Sequence, residues 1–211
     1  MKAVVTILVL AVGTMYPGHI QAQVRTNTPT LKGHTIDETF QQFVAESGSA
    51  SRARMSECSA LSASNRRTIK YCDEFGALSD QATNGQPVTG HFVCGAAIDD
   101  NDACQDFEGL VTFENNKLVV IMLRIFGQEW GSVLSDLTAK FGKPTETGLE
   151  HIQHSDGGLL NLHTGKWKAP VYVVDASEMT SPAYDNTFVE VIMFDRNYLL
   201  SRQPKAGSSL D

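Results

Sequence analysis

No stretch beyond the first dozen residues approaches the ~20 apolar residues of a helical membrane span, so no span is expected in the mature chain. Basic residues are also few. Seventeen Lys and Arg stand against 24 Asp and Glu, and only Arg52/Arg54 and Arg66/Arg67/Lys70 are locally dense. Without a basic stripe, nucleic acid is not an expected partner. The chain has no Gly-x-Ser-x-Gly elbow, no His-Glu-x-x-His, no Gly-rich phosphate loop and no Cys-x-x-Cys pair. Those absences remove the strongest signatures of serine hydrolases, zinc proteases, nucleotide-binding loops and zinc ribbons. No cofactor is expected, and the reading leans to binding rather than catalysis.

What is present begins with an export signal. Lys2 opens a short n-region, Ala3 to Val12 is an apolar run too short to span a bilayer, and Ile20-Gln21-Ala22 sets a small residue before Gln23. The expectation is a signal peptide over 1–22 and a periplasmic or secreted protein. Cleavage there removes Lys2 and takes the formal charge from −7 to −8. No Cys follows the apolar run, so no lipid anchor is expected. Residues 23–200 read as one domain, and 201–211, rich in Ser, Gly and Pro, as a disordered tail.

Four cysteines in an exported chain suggest two disulfides. Three connectivities are open. The short-range one, Cys58 with Cys72 and Cys94 with Cys104, is favoured because each pair brackets one local unit. Such loops stabilise by about 3 kcal/mol each in the chain-entropy view.

The clearest local pattern runs from Phe107 to Pro144. Residues 107–114 alternate apolar and polar, Asn115-Asn116 suits a two-residue hairpin turn, and Leu118 to Phe126 is apolar except at Arg124. Trp130, Val133, Leu134, Leu137 and Phe141 then form one helical stripe, with Gly142 and Pro144 as the stop. Upstream, Thr35 and Glu38 read as a capping box opening a helix with Ile36, Phe40, Phe43 and Val44 on its apolar face. Two further helices are expected near 51–62 and 65–75, and a loop over Ser79–Gly90. Strands are expected at 91–98, 147–154, 159–163, 171–176 and 187–195, with loops at 164–170 and 177–186. Helices first, then hairpin-linked strands, predict an α+β fold: an antiparallel sheet of about five to seven strands, one helix packed on it and two or three N-terminal helices.

The segments GHTIDETFQQFV, VTFENNKLVVIML and SVLSDLTAKFGKPTE resemble two kinds of small exported envelope proteins. These are outer-membrane assembly lipoproteins of the SmpA type and β-lactamase inhibitory proteins. The resemblance covers some 40–50 residues. It implies a helix-and-hairpin α+β fold and a protein-binding role. The lipoprotein Cys is missing, and this chain adds helices and cysteines of its own.

Candidate sites are sparse. Arg124 and Glu190 are lone charges in apolar strands, and an unpaired buried charge is costly. Either they meet across neighbouring strands or both face solvent. By alternation Arg124 lies with Leu118, Val120, Met122 and Phe126, and Glu190 with Phe188, Ile192 and Phe194. The other parity, Val119, Ile121, Leu123 and Ile125, suits a helix-covered face. An open face carrying Arg124, Glu190, Met122, Phe126 and Phe188 would suit an envelope or extracellular protein partner, with Trp167 as a second anchor. The competing expectation has the N-terminal helices covering that face. A second function class, a small secreted hydrolase or small-ligand-binding protein, would use His151, His154 or His163. His151 and His154 fall on opposite faces of a strand, which disfavours a shared metal. Asp99-Asp100-Asn101-Asp102 lacks calcium-loop spacing and reads as a solvated turn.

Overall fold

In a computed structural model the described residues are 29–94, 109–153, 159–181 and 186–203. The chain is α+β. Four helices come first: α1 (Phe40–Glu46), α2 (Ser49–Ala60), α3 (Ala63–Arg66) and α4 (Lys70–Thr83). Strands β1 (Gly90–Cys94), β2 (Gly109–Glu114) and β3 (Lys117–Phe126) follow, then helix α5 (Trp130–Phe141). Strands β4 (Glu146–Gln153), β5 (Leu159–Lys168), β6 (Tyr172–Ser181) and β7 (Asn186–Asp195) precede a short helix, α6 (Arg196–Arg202). The seven strands form one antiparallel sheet in the order β1-β2-β3-β7-β6-β5-β4. Two meanders thus meet at their last strands, β3 against β7.

Local chemistry explains most of these elements. Asn115 and Asn116 take φ of 52° and 63°, the left-handed pair that a tight hairpin needs. Gly142 ends α5 with φ 82°. The capping box sits one turn later than expected. Thr39 accepts from the Gln42 N–H and Gln42 reaches back to the Thr39 N–H, so α1 starts at Phe40. Glu38 does bond the Thr35 N–H, at 3.0 Å, but its other oxygen holds His34 Nδ1 at 2.8 Å. The pair is buried, with the His34 ring 4.1 Å from that of Phe43. Glu38 therefore fastens the turn before the helix. The stretch expected to be a loop from Ser79 continues α4 to Thr83.

Cys58 is bonded to Cys72, Cα atoms 4.9 Å apart, stapling α2 to α4 as the short-range pairing predicts. α2 needs the staple, because only Ser51, Met55 and Cys58 of its described side chains are buried. Arg66 adds a clasp to Asp80 at 2.7 Å. Its hydrogen bond holds the Asp80 carboxyl below the usual range and raises the Arg66 guanidinium. Cys104, and with it the second expected bridge, lies outside the described residues. So do Asp99–Asp102, the segment expected to be a signal peptide, and His154.

The core lies on one side of the sheet. Phe92, Val111, Ile121, Met193, Val174 and Trp167 are register partners across six strands, each at most 2% exposed. Phe40 and Phe43 of α1 meet Phe113 edge-on at 5.3 and 5.6 Å, and Phe75 of α4 meets Phe92 at 5.6 Å. Val133, Leu137 and Phe141 of α5 join the same cluster. Each fully buried side chain of this size contributes about 1.5–3 kcal/mol. Gly109 is required where β2 crosses β3, since a Cβ there would sit 1.7 Å from the Met122 carbonyl oxygen.

Candidate functional site

α1, α4 and α5 therefore pack on the face that carries Ile121 and Leu123. The N-terminal helices do not cover the Arg124 side. Of the described helices, α6 reaches that side, at one end. Its Tyr198 and Arg202 line a hollow with His91, Thr112 and Glu114, and Arg202 Nη2 lies 3.2 Å from Glu114 Oε1. Asp195 caps α6 by accepting from the Tyr198 N–H at 2.7 Å. Beneath this end, Val120 and Val173 are both 7% exposed and flank Phe194 in register.

Away from α6 the face opens. Leu110, Met122, Ile192, Asp175, Lys166 and Glu146 form the row next to the core row, yet none of the six is buried. The following row pairs Arg124 directly with Glu190, and Glu190 with Ser177. The outermost row is Phe126, Phe188 and Met179. Phe126 is 44% and Met179 37% exposed.

Both sequence alternatives for the charged pair hold at once. Arg124 Nε donates to Glu190 Oε2 at 3.3 Å, and the pair faces solvent. Arg124 also sits 5.9 Å from the centroid of the Phe188 ring, which in turn is 5.3 Å from Phe126. An arginine held by a carboxylate on one side and an aromatic face on the other loses little freedom when a partner docks.

Two sequence assignments change. Leu118 was grouped with Arg124 by simple alternation, but it belongs to the core face. Thr112 pairs with Val120 while Phe113 pairs with Leu118, so Val119 is an inserted bulge residue and parity shifts there. Trp167 is not a surface anchor. It lies in β5, which continues to Lys168, and is 2% exposed on the covered face. Its Nε1 donates to the Gly142 carbonyl at 2.7 Å, tying β5 to the end of α5.

Across β6, β5 and β4 the open face turns from aromatic to polar. Lys166 Nζ lies 3.3 Å from Asp175 Oδ1, and Lys168 bonds Glu146. The latter bond holds the Glu146 carboxyl below the ordinary range. Here the sequence reading missed candidates, because Gly165-Lys166-Trp167-Lys168 reads as a loop until its pairing is known.

His151 and His163 share one face of the paired strands β4 and β5, since His151 lies opposite Asn161, two residues before His163. His151 is exposed on the edge strand β4. His163 Nδ1 is 2.5 Å from Glu178 Oε2, and its ring stacks on Trp130 at 5.9 Å and 13°. Among the described residues no three His, Cys, Asp or Glu side chains gather to hold a metal. No described helix is long and apolar enough to cross a membrane.

No protein family, curated protein or solved structure matches the chain.

Proposed function

We propose that the chain is an exported, non-enzymatic binding domain that engages an envelope or extracellular protein through the uncovered face of its sheet. One observation carries this. A paired charge, Arg124–Glu190, sits among the half-exposed apolar groups Met122, Phe126, Phe188 and Met179 on strands whose other face is packed along its central part. Aromatic anchors around an oriented arginine are the residue types that dominate protein interfaces. The Cys58–Cys72 bond suits an oxidising compartment. The resemblance of the β2–β3 hairpin and of α5 to envelope proteins that bind other proteins points the same way.

The test is capture from an envelope extract with wild type, Arg124→Glu, Phe126→Asp and, as control, Lys140→Glu on the exposed side of α5. A partner retained by wild type and the control but lost by both sheet-face variants supports the proposal. Equal capture by all four counts against it.

The His163–Glu178 contact favours a second reading, a hydrolase in which Glu178 orients an imidazole base. Ester hydrolysis by the oxidised chain that is abolished in His163→Ala would support it. Rates equal to background would remove it.

A further inference from the structure

A second surface, on the opposite side of the molecule, has the features of a small-molecule site. Helices α1, α2 and α4 enclose a groove of about 570 Å³, within the ~300–1,000 Å³ of ordinary ligand pockets. Its floor is apolar: Phe40 and Val44 from α1, Met55 from α2, Phe75 and Ala82 from α4. Its rim is polar, with Gln41, Ser56, Ser79 and Arg52. The walls are braced, since the Cys58–Cys72 bond fixes α2 against α4. The Phe40 and Phe75 rings lie 5.5 Å apart at the base.

Charge selects the ligand. Arg52 bonds the Ala45 and Ser47 carbonyls at the end of α1, and no carboxylate pairs with it among the described residues. None of the described lining residues is acidic. An apolar trough with one uncompensated guanidinium at its mouth matches a chain with an anionic end. From this we infer that the groove binds a single-chain anionic amphiphile, an alkanoate, with the alkyl chain over Phe40, Met55 and Phe75 and the carboxylate at Arg52. The inference stands apart from the sheet-face proposal, because the two surfaces share no residue.

The experiment is calorimetric titration of the full oxidised chain with octanoate, decanoate and dodecanoate, and with the matching 1-alkanols. Burial of each added methylene should tighten binding about fourfold, the equivalent of ~0.8 kcal/mol. Ala82→Phe, which fills the groove from α4, should weaken dodecanoate binding at least tenfold. Should that variant fail to fold by circular dichroism, Val44→Phe occludes the groove from α1. Arg52→Gln should weaken the alkanoates about tenfold and leave the alkanols unchanged. Three results each overturn the inference: no binding or no dependence on chain length, undiminished binding in a folded occluded variant, or an equal loss of alkanoate and alkanol in Arg52→Gln.

Discussion

Both faces of one sheet carry large apolar residues along β3, and the two behave differently. On β3, Ile121 and Leu123 point one way and are 0% and 5% exposed. Met122 and Arg124 point the other way, half-buried and exposed. Hydrophobicity alone does not set Met122 apart from Ile121 and Leu123. What separates them is that α1, α4 and α5 have all been delivered to one side. A strand apolar on both faces marks a central position, which β3 holds, but not double coverage. The apolar groups left on the uncovered side then call for a role other than core.

The comparison breaks most directly by truncating neighbours. Ile121→Ala should cost about 2–5 kcal/mol, since it opens a cavity between strands and helices. Met122→Ala should cost about 1 kcal/mol or less, because its side chain already meets solvent. Urea unfolding of both proteins measures the difference. Equal losses would mean that something covers the second face. The staple that holds the covering helices comes next. Cys58→Ser should lower stability by about 3 kcal/mol, the loop entropy of a bridge with sequence separation 14. It should also raise binding of an environment-sensitive dye, as α2 has few buried side chains of its own.

Arg124→Ala sharpens the contrast from the other side. The pair with Glu190 is solvent-facing, so unfolding free energy should move by less than about 1 kcal/mol. Partner affinity, followed by surface plasmon resonance once a partner is in hand, should fall tenfold or more. A large stability loss with unchanged affinity would reduce the pair to a structural clasp.

How much of this was legible without coordinates follows from how local each signal is. The β2–β3 hairpin and α5 were plain in the sequence, because Asn115-Asn116, the Trp130-to-Phe141 stripe and Gly142 act within a few residues. The Arg124–Glu190 contact was accessible as a lone charge in each of two apolar strands. The C-terminal halves of β5 and β6 were not. Thr164, Lys166, Ser177 and Glu178 carry no apolar alternation, and they become strand only because each strand pairs with a neighbour on both sides. The bulge at Val119 escaped for a related reason. An inserted residue shows itself only against the partner strand, and it moved Leu118 from one face to the other. That a helix covers the Ile121 and Leu123 side was legible from their uniform apolar parity, but that α1 and α4 join α5 there is a long-range fact that no window of sequence contains. The groove lined by α1, α2 and α4, spread over three helices, was equally out of reach.

The smallest effect concerns a titrating group at the margin of the covered face. Tyr172 shares its parity with Val174 and Ala176, is 9% exposed, and meets Phe141 of α5 edge-on at 5.9 Å. Burial disfavours its phenolate and raises its pKa above the ordinary value of 10.0. The folded state therefore keeps a proton that the unfolded chain gives up at about pH 10. Stability from this group is complete below that pH and declines as pH rises toward the folded-state value, because there the unfolded chain binds fewer protons. Tyr172→Phe cannot ionise, so its unfolding free energy should fall less steeply between pH 9.5 and 11 than that of wild type. Urea midpoints measured across that range decide the point. Parallel slopes would show that Tyr172 reaches water in the folded protein, and that cover from α5 ends short of β6.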